Sequence, residues 1–91
     1  MIVQFEARHW ERVRVGGEHY LCLKQGEGLV VIQERCRHRG GPLGLGTWDE
    51  KTQCIVCPWH EMVNSPRELG RRKVPSVRVG NVMTILVPDP A

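Results

Sequence analysis

The chain has 91 residues, 41% of them hydrophobic but only 5% aromatic, and a formal net charge of +3. A chain this short buries about 60–65 % of its unfolded surface, which leaves no room for a separate catalytic domain and makes a cross-link valuable to the core. The charge is too small to point to nucleic acid, and no apolar run reaches the length of a signal core or a membrane span, so the expectation is one small cytoplasmic domain over residues 1–91, a monomer with no membrane or nucleic-acid partner.

With few aromatic residues the core must be built from Val, Leu and Ile, which favours strands. Residues 2–8 alternate partially and predict a first strand; Arg12-Val13-Arg14-Val15 is a clean period-2 run. Gly16-Gly17 turns the chain into a strand over residues 18–24, and Gln25-Gly26-Glu27-Gly28 turns it again into Leu29-Val30-Val31-Ile32. This predicts a meander that runs into Cys36-Arg37-His38. Residues 52–56 predict a short strand delivering Cys57-Pro58-Trp59-His60, with Pro58 stiffening the loop. Val77-Arg78-Val79, Gly80-Asn81 and residues 82–87 read as a closing hairpin. Helix signals are nearly absent, and there are no repeats, linkers or low-complexity tracts.

The two mixed pairs, Cys36 with His38 and Cys57 with His60, carry the chemistry. Each offers one thiolate and one imidazole from a tight loop, so two such loops present two sulfurs and two nitrogens to one centre. The first continues as Arg39-Gly40-Gly41-Pro42-Leu43-Gly44-Leu45-Gly46, whose glycines let a backbone fold around a buried inorganic body. Zinc accepts the same four ligands, although structural zinc sites usually keep like ligands together in spacings such as C-x2–4-C. A Cys36–Cys57 disulfide would leave both histidines unexplained.

The stretches CRHRGGPLGLG and CPWH resemble the Rieske iron-sulfur family, and the order of strands, ligand segment and closing hairpin extends that resemblance over essentially the whole chain. The resemblance implies an all-β fold, an antiparallel β-sandwich with two cluster-binding loops at one tip, the ligand segment spanning about residues 35–70. It implies one [2Fe–2S] cluster per chain, with Cys36 and Cys57 on one iron, His38 and His60 on the other, and imidazole edges that reach solvent. Two neutral imidazoles in place of two thiolates make the oxidised site neutral, so an electron is added more easily, in keeping with roughly −150 to +300 mV for such centres against about −400 mV for plant-type ferredoxins.

Departures from the pattern place the chain within the family. Gly41 and Trp59 stand where respiratory members carry a bridging disulfide, and Glu61 or Met62 stands where their potential-raising serine would fall. The sequence is therefore similar to the soluble, low-potential ferredoxin branch. Glu61 also replaces the usual glycine after the second histidine, and the usual aromatic is missing from Met62-Val63-Asn64-Ser65-Pro66.

The resemblance implies a carrier rather than an enzyme, with no catalytic residues. A Rieske oxygenase needs a second iron held by two histidines and a carboxylate, and the spare histidines, His9 and His19, have no ligand-spaced companion and read as surface residues. The expected partners are a flavin-containing reductase and a terminal oxygenase or similar redox enzyme; the alternative is a non-catalytic Rieske subunit or redox-sensing module of a larger complex. Arg35, Arg37 and Arg39 beside the first ligands, and Arg71-Arg72-Lys73, are either a solvated face or a docking surface for an acidic partner. Cys22 and Cys54 lie in apolar runs and are expected to be small buried hydrophobes. Trp10 is expected in the core, and Trp48 and Trp59 as shields of the cluster.

Overall fold

The computed structural model describes residues 1–35, 42–59 and 61–89, and the chain forms two compact units, residues 1–33 with 73–91, and residues 34–72. The first unit contains two three-stranded antiparallel sheets. One has the order β1-β9-β8, formed by Ile2–Glu6, Val82–Leu86 and Ser76–Val79; the other has the order β2-β3-β4, formed by Glu11–Val15, Glu18–Gln25 and Gly28–Gln33. The meander and the closing hairpin are both present, and β9 also pairs with β1 in the register Ile2↔Leu86 to Glu6↔Val82. The three hairpins of this unit share one turn chemistry. Each has a two-residue loop, Gly16-Gly17, Gly26-Glu27 or Gly80-Asn81, and in each the leading glycine has a positive φ of 58 to 63°. That is the pattern of a type II′ turn, whose twist matches the flanking strands.

Alternation along these strands builds the core. Phe5 and Val3 from β1, Val15 from β2, Tyr20 and Cys22 from β3, Val31 from β4 and Met83 and Ile85 from β9 share one apolar cluster between the sheets. The arrangement is that of a β-sandwich. Leu21 and Leu23, on the opposite face of β3, are also buried, which is why this strand reads as a near-continuous apolar run. His9 accepts the Lys24 N–H on Nδ1 at 2.9 Å, so this exposed histidine fastens the end of β3. Trp10 is not a core residue: it is half-buried, has a left-handed φ of 66°, and tilts against the His9 ring at 5.3 Å.

Burial pushes the Cys22 thiol above its ordinary 9.0, because the thiolate would lose its hydration in the core. In the unfolded chain this thiol ionises first as the pH rises. Its contribution is therefore complete below about pH 9.0 and declines as the pH climbs toward the folded value. Denaturant unfolding at pH 8 and pH 10 should show the wild type losing stability more steeply than Cys22→Ala, in which the cavity cost does not depend on pH; identical losses would contradict a raised thiol.

The second unit is a three-stranded antiparallel sheet of β5 (Thr47–Asp49), β6 (Cys54–Val56) and β7 (Val63–Asn64), with a 3₁₀ turn at Leu43–Leu45 and a one-turn helix α1 (Pro66–Gly70). Sequence patterning misses β5, β7 and α1, and it begins β6 too early. The Asp49 carboxylate accepts the N–H groups of Lys51 and Thr52 at 3.0 and 3.3 Å, and Gln53 has a φ of 58°, so residues 52 and 53 belong to a turn. Helix α1 does have a sequence signature, Ser65-Pro66-x-Glu68: the Ser65 hydroxyl accepts the Glu68 N–H at 3.3 Å, and proline occupies the first helical position. No helix among the described residues is long and apolar enough to cross a membrane.

Candidate iron-sulfur site

Strand β6 carries the chain directly into Cys57. The hairpin continues past its last ladder pair, Val56↔Val63, because the Cys57 N–H donates to the Met62 carbonyl at 2.8 Å. Cys57 and Met62 thus close the neck of the loop between β6 and β7. Cys57 is completely buried, and its Sγ accepts the backbone N–H of Trp59 at 3.4 Å. A buried sulfur with an amide aimed at it suits a thiolate ligand, since the dipole compensates part of the charge taken out of water. Of the four expected ligands, only Cys57 lies among the described residues; Cys36, His38 and His60 lie outside them, as do Arg37, Arg39, Gly40 and Gly41.

Gly46 has a demand on it that the sequence alone does not reveal. A Cβ built there would stand 2.2 Å from the carbonyl oxygen of Val56, so glycine is needed for the 3₁₀ turn to approach the strand that delivers Cys57. The glycine therefore serves a contact between two stretches of protein backbone. Leu43 and Ile55 are fully buried in the same unit.

Glu61 has a φ of 54°, the left-handed region in which glycine is at ease, at the position where the family pattern usually has glycine. The left-handed state costs an L-residue about 1–2 kcal/mol, and glycine gives back about 0.5–1 kcal/mol through its freedom when unfolded. Glu61→Gly should consequently stabilise the protein by about 0.5–1 kcal/mol, seen as a melting temperature several degrees higher. Because the side chain is exposed, Glu61→Gln should leave the melting temperature unchanged. A glycine variant no more stable than the glutamine variant would contradict the strain at this position.

The other expected features are placed as follows. Trp59 leaves 52% of its surface to solvent and Trp48 is half-buried. Cys54 is half-buried rather than buried, with its thiol toward the Thr52 carbonyl at 3.5 Å. In the basic run, Arg71 pairs with the Glu68 carboxylate at 3.8 Å and Arg72 donates to the Glu68 carbonyl at 3.2 Å. These two cations complement the C-terminal end of α1, a structural use of their charge that sequence reading left undecided.

The model of the Rieske [2Fe-2S] domain family matches residues 3–79. Among solved structures, the ferredoxin of carbazole 1,9a-dioxygenase from Nocardioides aromaticivorans IC177 is similar, with a TM-score of 0.66 and 17% sequence identity over 97% of this chain and 98% of that one. At that identity the likeness speaks for the fold, a nearly all-β arrangement of antiparallel sheets. The family match spans most of the sequence and takes in both mixed Cys and His pairs, whose donor types are those of a Rieske [2Fe–2S] cluster. The chain belongs to the family of Rieske [2Fe–2S] domains.

Proposed function

We propose that this protein is a one-electron carrier, taking an electron from a flavin-containing reductase and passing it to a terminal oxygenase or similar redox enzyme. In this reading the cluster is held by Cys36 and Cys57 on one iron and by His38 and His60 on the other, and supplies a single accessible electron step. The single domain over residues 1–91, with its cluster-binding segment at about residues 35–70, has no catalytic role of its own and works in the cytoplasm. The observation that carries the reading is the near-complete mutual coverage with a ferredoxin of a dioxygenase, within a family defined by its cluster.

Neither Trp59 nor Gly41 can form an inter-loop disulfide, and neither Glu61 nor Met62 offers a hydroxyl to a cluster sulfide. The potential is accordingly expected toward the low end of the Rieske range, roughly −100 mV within about −150 to +300 mV. Protein-film voltammetry checks this, and a value above roughly +200 mV would contradict a carrier of the low-potential kind. Transfer itself is tested by stopped-flow reduction with a flavin-dependent reductase across a salt series. Reduction that slows with salt, with a weaker dependence in the Arg37→Gln, Arg39→Gln double variant, supports docking of an acidic partner beside the ligands.

One observation favours a second reading, a non-catalytic subunit of a larger complex. The outer face of the β1-β9-β8 sheet exposes Ile2, Val77, Val79, Val82 and Leu86, beside a groove of about 420 Å³. Contiguous apolar surface of this kind usually marks a contact with another protein. Purification of the native protein separates the two: a freely dissociating monomer supports the carrier, and a permanent assembly supports the subunit.

A further inference from the structure

Asn64 is wholly buried on β7, opposite Ile55, in a position where a strand ordinarily places an aliphatic side chain. Burying an amide is costly unless its hydrogen bonds are used. Its Nδ2 donates to the Met62 carbonyl at 3.3 Å, the same carbonyl that accepts the Cys57 N–H at 2.8 Å. Both lone pairs of that oxygen are thereby engaged at the neck of the loop. One residue before it, Glu61 has the left-handed φ of 54°, a conformation that persists only where the surroundings enforce it. Within the closed loop, the Trp59 N–H points to the Cys57 sulfur at 3.4 Å.

We propose that Asn64 is a positioning residue for the cluster: by pinning the Met62 carbonyl it holds the Trp59 N–H on the Cys57 sulfur and so helps to set the reduction potential. The inference rests on Cys57 being a cluster ligand. An N–H directed at a ligand sulfur stabilises the reduced state more than the oxidised one, because the added electron makes the sulfur more negative. When the pin is removed, the strained residue can relax, the loop widens and the donor moves off the sulfur. The potential then falls.

The test uses the intact protein in Asn64→Leu, which is similar in shape and lacks the donor, and in Asn64→Ser, whose hydroxyl is too short to reach the carbonyl. Leu69→Ala serves as a control, since it deletes a buried side chain of the same unit and leaves the Asn64 side-chain donor to the Met62 carbonyl in place. Two quantities are read: the midpoint potential, and the hyperfine coupling of the Trp59 backbone nitrogen to the reduced cluster in protein labelled with [α-15N]tryptophan. The expected result is a clear Trp59 coupling in the wild type that is weakened in both Asn64 variants. With it, the reduced-to-oxidised ratio at a fixed solution potential should drop about tenfold, which is 59 mV for a one-electron couple. Leu69→Ala should lower the melting temperature and leave both readings in place. Failure of both Asn64 variants to load a cluster, with Leu69→Ala still loaded, would equally support the role. Unchanged potential and coupling in the Asn64 variants, or no Trp59 coupling in the wild type, would overturn it. A wild type without a [2Fe–2S] signal, or a Cys57→Ser variant that keeps one, would instead contradict the ligand assignment on which it rests.

Discussion

Cys57→Ser is expected to abolish the cluster and to remove much of the protein's stability with it. The sulfur is fully buried at the end of β6, in a loop closed by its own N–H, so no other cysteine can take its place without unravelling the hairpin. Cys22 lies in the core of the first unit, and Cys54 turns its thiol to the Thr52 carbonyl. Serine is the wrong donor, hard and poorly ionised where iron-sulfur centres require a soft thiolate. The stability loss follows from linkage: a group that binds only the folded chain contributes its binding energy to folding, and a domain of 91 residues has little core to spare. Iron content, visible absorption and the melting temperature measure the outcome. Cys54→Ala is the control and should keep the cluster. A serine variant with full iron, or one that melts with the wild type, would contradict the role of Cys57.

Gly46→Ala should be nearly as damaging, although it adds a single methyl group. At 2.2 Å from the Val56 oxygen, and 3.2 Å from the Leu43 oxygen, the new Cβ meets backbone on two sides, and backbone cannot rotate out of the way as a side chain would. Overpacking of this kind typically costs about 1–3 kcal/mol, and a clash with a strand backbone belongs at the upper end. For a domain of this size that corresponds to a melting temperature roughly 10–20 °C lower. The local consequence is as informative as the global one. Val56 immediately precedes Cys57, so moving its carbonyl displaces the proposed ligand, and the fraction of purified protein carrying iron should fall along with the melting temperature. A variant within about 2 °C of the wild type, on the scale of about 4–8 °C per kcal/mol, would contradict a close approach of the turn to the Val56 carbonyl.

The strands that were legible in the sequence are those whose pattern and turns agree. Gly16-Gly17, Gly26-Glu27 and Gly80-Asn81 each put a glycine where a type II′ turn needs a positive φ, and the runs between them alternate or are apolar throughout. The second unit was harder to read. Strands of two or three residues such as Val63–Asn64 and Thr47–Asp49 are too short to show a period, and Asp49 and Gln53 shape a turn through a side chain and a single left-handed residue. Helix α1 is missed because one turn carries no amphipathic stripe, although its cap, Ser65-Pro66-x-Glu68, is a signature of its own.

For the site, the mixed Cys and His pairs identified the family directly, whereas the residues around them were assigned by composition and fared unevenly. Trp10 has an apolar ring but a left-handed backbone at a strand entrance, which keeps it half out of the core. For Arg71 and Arg72 the sequence leaves a solvated face and a docking surface equally open, because it shows charge and not its neighbours; both turn back on Glu68. The roles of Asn64 and Gly46 are illegible for the same reason. Their importance lies in a carbonyl two residues back at the loop neck and in a backbone met at close range, and neither leaves a trace in spacing.

Whether a [2Fe–2S] cluster is held by two cysteines and two histidines is decided by labelling the four histidines of the chain. Protein grown with 15N-histidine, reduced, and studied by pulsed electron paramagnetic resonance should show two strongly coupled histidine nitrogens, with one coupling lost in His38→Cys and the other in His60→Cys. A reduced cluster with no histidine coupling, or purified protein that holds one zinc and no iron, would contradict such a cluster.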